Sequence, residues 1–199
     1  MPGYRPRRIF PIALVLVIVA VAIIGLVYAA QMLFFNGGQS ASPKSDVSQA
    51  ALTNTSANRS VIMTVRGQIV ADENFRTYQM KISPSERLFT TSKGYLNQQI
   101  DVIKLANNTP AYEQFVYALN RARFMNSNEL TGERNDTRGI CATGYLYEFQ
   151  MMESDKTVKQ LWTTSCPNSR GSLGVSVSPI MNLFVVQVPD AQAKVNALW

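Results

Sequence analysis

The only two cysteines of the chain, Cys141 and Cys166, bound the stretch CATGYLYEFQMMESDKTVKQLWTTSC, and no histidine occurs in the 199 residues. Those two facts limit the chemistry available. A zinc site takes about four Cys, His or carboxylate ligands, and a dithiol redox motif takes Cys-x-x-Cys. Two cysteines far apart, with no imidazole, satisfy neither. The lack of histidine also removes the Ser-His-Asp and Cys-His arrangements of nucleophilic catalysis. What remains is a Cys141–Cys166 disulfide, the expected state of a lone cysteine pair in an exported protein. With both sulfurs bonded, no thiolate is left to react.

The other residues with chemical potential are scattered. Ser92-Lys93 in TTSKGY has the composition of a Ser-Lys dyad, but adjacent side chains of a strand point to opposite sides. Glu148, Glu153 and Asp155 carry the carboxylates that glycoside hydrolysis needs, although acids near a hairpin end also serve as plain solubilising residues. GSLG lacks the Lys-Ser/Thr of a phosphate-binding loop. Residues 126–139, NSNELTGERNDTRG, are polar without any period, and loops of that length in compact domains are functional or disordered. Glu133, Arg134, Asp136 and Arg138 are therefore the candidate binding residues. No cofactor and no metal is expected.

The elements that must hold these residues follow from periodicity. If Cys141 directly opposes Cys166 in an antiparallel pair, Thr143 faces Thr164, Tyr145 faces Trp162, Tyr147 faces Gln160 and Phe149 faces Val158. All then share the cysteine face, the pairs are of favourable types, and MESD is left as the turn. Such a bond contributes roughly 3–3.5 kcal/mol by loop closure; a bond between non-neighbouring strands is the alternative. Upstream, VIMTVRGQIVA alternates with Val61, Met63, Val65 and Ile69 on one side. ADEN makes a turn, and FRTYQMKIS places Tyr78, Met80 and Ile82 on one face up to Pro84. RLFTT and YLNQQIDVIKL flank SKG, a hairpin turn with Gly94 free to take positive φ. A helix follows, with Thr109 as N-cap, Pro110 in its first turn and an apolar stripe of Tyr112, Phe115, Val116, Leu119 and Ala122. Beyond PNSRGSLG, a second helix capped by Ser178 carries Ile180, Leu183, Phe184 and Val188, although LFVVQV also suits a buried strand. Leu198 and Trp199 in the tail either pack back on the domain or fray.

Residues 9–35, IFPIALVLVIVAVAIIGLVYAAQMLFF, hold no charged side chain. A bilayer core of ~30 Å takes ~20 apolar helical residues to cross, so this run is expected to span it as a signal-anchor helix. Arg5, Arg7 and Arg8 in the basic tail 1–8 keep the N-terminus cytoplasmic and the rest outside. Cleavage near Ala29 of a signal peptide is the alternative, which secretes the remainder. Residues 36–60 are rich in Ser, Asn and Ala, the composition of a flexible linker. Of the 19 basic residues five precede Val61, as does one of the 13 acids, so the remaining chain carries 14 against 12. That near-neutrality, without basic clusters, argues against nucleic acid as a partner.

The expected protein is thus a single-pass cell-membrane protein contacting the lipid bilayer through 9–35. Its exported 61–199 domain is α+β, a largely antiparallel sheet with one or two helices on one face. That domain is expected to bind or scaffold an unidentified protein or envelope partner. An exported hydrolase using carboxylate, Ser or Lys chemistry is the rival.

Overall fold

The computed structural model of the protein describes residues 49–199 apart from 168 and 170, together with residues 18, 19, 21 and 23. The chain divides into two units, Met1–Ser45 and Asp46–Trp199. In the first, Ile18, Val19, Val21 and Ile23 are helical with exposed side chains. The remainder of the expected span 9–35, the basic tail 1–8 and residues 36–48 of the expected linker lie outside the described residues. Among the described residues no helix is long and apolar enough to cross a membrane.

The second unit is an α+β fold. Its elements run α1 (Gln49–Leu52), β1 (Arg59–Arg66), β2 (Arg76–Ile82), β3 (Glu86–Lys93), β4 (Gln98–Ala106), α2 (Thr109–Arg121), β5 (Leu146–Glu153), β6 (Lys156–Thr164), α3 (Val177–Val185) and α4 (Ala191–Leu198). The six strands form one antiparallel sheet in the order β4-β3-β2-β1-β5-β6. The first four strands make a meander, and after α2 the β5–β6 hairpin docks on the edge of β1 that the meander leaves free.

Because strand side chains alternate, the register sorts residue types by face. One row across the sheet reads Ile103, Phe89, Met80, Met63, Phe149, Leu161, each opposite the next. This apolar face is roofed by helices. α2 contributes Tyr112, Phe115, Val116 and Leu119, α3 contributes Ile180 and Phe184, and α4 contributes Ala191 and Val195. Phe149 is a centre of this core, edge-on to Phe124 at 5.5 Å and tilted against Phe184 at 5.9 Å. At one end of the same face Trp199 packs edge-on to Tyr145 at 5.0 Å and to Tyr78 at 6.5 Å, so the tail does not fray.

Five sequence expectations need correction. The hairpin register is shifted by three positions, with Leu146 opposite Thr164, Glu148 opposite Trp162 and Phe149 opposite Leu161. An odd shift exchanges faces, so Trp162 sits on the opposite face from Tyr147. The cysteines are bonded, with Cα atoms 5.5 Å apart, but they lie past the end of the ladder, where they impose no strand register. The turn is the two residues Ser154–Asp155, Ser154 taking the left-handed φ of 53°, and Val158 bulges out between paired Thr157 and Lys159. Asn108, not Thr109, caps α2, its Oδ1 accepting from the Ala111 N–H at 2.9 Å. α3 starts at Val177, which places Ser178 inside the helix rather than at its cap. Finally, folded structure begins by Gln49 rather than at Val61. α1 packs on α2 and Leu52 is buried in the core, one leucine in a Ser/Asn/Ala background being too little to give a period.

Where β1 starts, Arg59 is held by Glu153 across the β1–β5 pair at 3.3 Å, yet its Nε and Nη1 are buried with no partner among the described residues. Burial pushes the Tyr112 hydroxyl up to about 12, against the pull of the Arg59 charge. A buried guanidinium so incompletely paired is a poor source of stability. Two substitutions should therefore diverge in denaturant unfolding. Phe149→Ala is expected to cost about 3–5 kcal/mol, whereas Arg59→Met should leave stability unchanged or raise it.

Candidate functional site

The face away from the helices has the opposite character. Its central row reads Val102, Thr90, Gln79, Thr64, Glu148, Trp162, and the next reads Gln99, Ser92, Thr77, Arg66, Leu146, Thr164. At the β6 end this face is covered, because Trp162 is buried and its Nε1 donates to Asn135 Oδ1 at 2.8 Å. From β1 to β4 the same face is hollowed into a depression of about 450 Å³ floored by Thr64, Thr77, Gln79, Thr90 and Ser92. A second hollow of about 440 Å³ adjoins it, lined on its apolar side by Ile69, Phe75, Tyr95, Ile140 and Leu146. Arg66 and Asn97 line both, so the two form one groove. Each is within the usual size range of small-ligand sites, about 300–1,000 Å³.

The β3–β4 turn fixes the aromatic end. Gly94 adopts φ 70°, and a Cβ there would meet the Asp72 carboxylate at 3.0 Å, which is why glycine is needed. The Asp72 carboxylate in turn accepts from the Tyr95 N–H at 2.7 Å, and the Tyr95 hydroxyl donates to the Val70 carbonyl at 2.8 Å. The Tyr95 ring lies stacked on Phe75, centroids 4.1 Å apart and planes 13° from parallel. Tyr95 is nonetheless 46% exposed, so a rigid aromatic surface borders the groove.

Charge at the centre of the groove is internally compensated. Arg66 on β1 donates through Nε (2.8 Å) and Nη2 (2.5 Å) to Glu148 Oε2 on β5. The two are diagonal neighbours, since Thr64 directly opposes Glu148, a separation that long side chains bridge. Thr137 donates to the other carboxylate oxygen of Glu148 at 3.3 Å. By contrast, the side chains of Thr77, Thr90, Ser92, Asn97 and Gln99 make no hydrogen bond among the described residues.

The remaining wall is the segment leading into the disulfide. Thr137, Arg138 and Ile140 line the second hollow, and this segment is tied down on three sides. Cys141 is bonded to Cys166, the Ala142 carbonyl accepts from the Ile69 N–H at 2.8 Å, and Tyr145 N–H donates to Ser165 Oγ at 2.8 Å. The disulfide thus fastens a groove wall to the end of β6.

Of the four loop residues singled out by sequence, Asp136 and Arg138 clasp each other at 2.5–3.0 Å, and Arg138 reaches the groove. Hydrogen bonds from Arg138 hold the Asp136 carboxyl down at about 2. Glu133 and Arg134 lie exposed in a 3-10 turn, their side chains making no ion pair or hydrogen bond among the described residues. Ser92 is buried on the groove face while Lys93, next in the strand, is exposed. Glu148 and Glu153 stand on opposite faces of β5, one bound to Arg66 and the other to Arg59. No group of three or more Cys, Asp or Glu among the described residues is placed to hold a metal ion. The groove residues Thr77, Gln79, Ser92, Tyr95, Asn97 and Gln99 were not identifiable as a site from sequence; strand parity marked only some of them as polar positions.

Compared with known proteins, the chain matches no protein family, no curated protein and no solved structure.

If the disulfide secures the wall, the double substitution Cys141→Ser/Cys166→Ser should lower stability by about 3.5 kcal/mol from loop-closure entropy. Hydrogen exchange should accelerate over residues 137–142 while the β1–β5 ladder stays protected. Uniform acceleration across the sheet would show instead that the bond staples the fold as a whole.

Proposed function

We propose that the chain is a non-enzymatic binding module that holds a ligand in the groove across its open sheet face. One observation carries this reading. Five neutral polar side chains with no hydrogen-bond partner among the described residues border a pre-formed hollow, and the ion pair at its centre is closed on itself. Thr77 and Ser92 are buried at the floor while Asn97 and Gln99 stand exposed at the rim, so these groups are free to exchange bound water for the polar groups of a ligand. The module is carried on a single membrane-spanning helix through residues 9–35, its N-terminus cytoplasmic and its domain extracytoplasmic. The charge-free run, the three arginines preceding it and the cysteine pair joined in a disulfide all favour this placement.

The rival, an exported hydrolase, calls for convergent ionisable groups free to move protons. In the groove the carboxylate that converges with a base is Glu148, and Arg66 occupies it from one side and Thr137 from the other. That arrangement favours binding over catalysis.

A photoreactive benzophenone side chain at Gln79, on the groove floor, should capture a membrane- or envelope-derived adduct in living cells. The same group at Tyr117, exposed on α2, should capture none. Adducts from position 117 alone would remove the groove reading. For the anchor, alkaline carbonate should leave the intact chain in the membrane pellet, with the domain alkylated by impermeant reagents only after reduction. A soluble mature chain starting near Ala30 would establish cleavage instead.

A further inference from the structure

We infer that the ligand class is a neutral oligosaccharide, an inference that rests on the groove being the binding site. Charge comes first. Arg66 is matched by Glu148 and Arg138 by Asp136, so an anionic or cationic ligand would meet a like charge already in place beside each partner. A neutral one would not.

The polar lining narrows the class further. Thr77, Thr90 and Ser92 present hydroxyls, and Asn97 and Gln99 present carboxamides. Each of these groups both donates and accepts. Their natural complement is a ligand whose own groups also do both, which is the character of sugar hydroxyls. Thr77 and Ser92 are each only 6% exposed and line the hollow, so their hydroxyls belong to its floor.

The direction of the groove argues against an extended peptide. Peptides pair with sheets along a strand edge, where backbone groups are unpaired. This groove runs across β1, β2 and β3 to the start of β4, over strands whose backbones are committed to the ladder. Crossing from β1 to β4 spans three strand spacings, about 14 Å, a length suited to a short chain of sugar rings. The first hollow offers Leu88 as its apolar contact, too little to seat alternate peptide side chains.

The second hollow supplies what a sugar chain also wants. Tyr95 is locked on Phe75 with its hydroxyl occupied by the Val70 carbonyl. Its π-face is electron-rich and attracts the positively polarised C–H groups on the flat side of a pyranose. Beside it, Ile69, Ile140 and Leu146 make an apolar recess of the kind that accepts the methyl of an acetamido group.

The test uses the full chain in a non-glycosidic detergent, with triacetylchitotriose, maltotriose and a neutral, end-blocked Gly/Ser/Asn pentapeptide as probes. At about 10 mM, above the millimolar dissociation constants of weak ligands, hydrogen exchange should slow over residues 77–79 and 90–99 with a saccharide and not with the peptide. Calorimetry should then show Tyr95→Ala and Thr77→Val/Ser92→Ala each weakening saccharide binding about tenfold or more, with Tyr117→Ala neutral. Because the double variant alters buried positions, the exposed Gln99→Ala serves as the variant that leaves folding intact, and it should weaken binding measurably. Protection by the peptide alone overturns the saccharide assignment while leaving the groove as a binding site. Protection by none of the three probes overturns the saccharide assignment too, and the benzophenone adduct at position 79 then decides separately whether the groove binds anything.

Discussion

The pairing of β1 with β5 is the constraint on which the rest depends. β1 is followed immediately by its meander partner β2, but its other neighbour comes from eighty or more positions downstream, Arg66 opposing Leu146 and Arg59 opposing Glu153. Joining the two halves of the sheet there requires the chain to close a long loop, which is entropically costly and slow. Apolar burial offsets that cost. Met63, flanked by Met80 on one side and Phe149 on the other, is fully buried, and Phe149 reaches Phe124 and Phe184, residues from either side of the hairpin in sequence. The helices roof this junction, so the same contacts that fix the register also place α2, α3 and α4.

Once that register is set, parity dictates the opposite face. Every residue next to a core position in the strands must point away from the helices. Thr64, Gln79, Thr90 and Glu148 are thereby aligned in one row although they come from four strands. The Arg66–Glu148 pair also exists only because β1 and β5 are neighbours. It is part-buried, so solvent screens it less than a surface pair, and it fastens the two halves of the sheet on the groove side as Met63 and Phe149 do on the core side. The groove face and the core are thus two consequences of one pairing.

Much of the strand content was legible in the sequence because it is written in period two. Val61, Met63 and Val65, like Tyr78, Met80 and Ile82, announced their buried face, and Gly94 its turn. Tyr112, Phe115, Val116 and Leu119 announced a helix at helical spacing. What sequence could not carry was relative placement. Nothing in the residues of β5 names β1 as its neighbour, so the row that makes the groove floor stayed invisible. The hairpin register failed for an instructive reason. The pairs Tyr145–Trp162 and Phe149–Val158 are chemically agreeable, but so are Phe149–Leu161 and Leu146–Thr164, and the cysteines chose wrongly between them because they sit outside the ladder. Tyr95 could not be read as a groove residue either, since its place depends on Asp72, Val70 and Phe75 folding back over the β3–β4 turn.

That failure bears on what the disulfide is for. A bond inside the ladder would join residues that backbone hydrogen bonds already hold, and its main effect would be on the stability of the hairpin. Cys141 and Cys166 instead join a loop end to the residues just past β6. Cys141 adopts the left-handed φ of 55°, a conformation uncommon for a non-glycine residue, and the segment 137–142 has little apolar burial of its own to order it. Ile140 is only partly buried, Thr137 and Ala142 meet the body of the domain through polar contacts, and Arg138 pairs, among the described residues, only with Asp136 of its own loop. A loop built that way would sample many conformations without a covalent tie. The bond removes that freedom, so under the proposed binding role a ligand entering the groove would meet a wall already in place and need not supply the ordering entropy itself. Placing the covalent constraint at the rim rather than in the core suits a domain whose core holds its own register and whose groove wall does not.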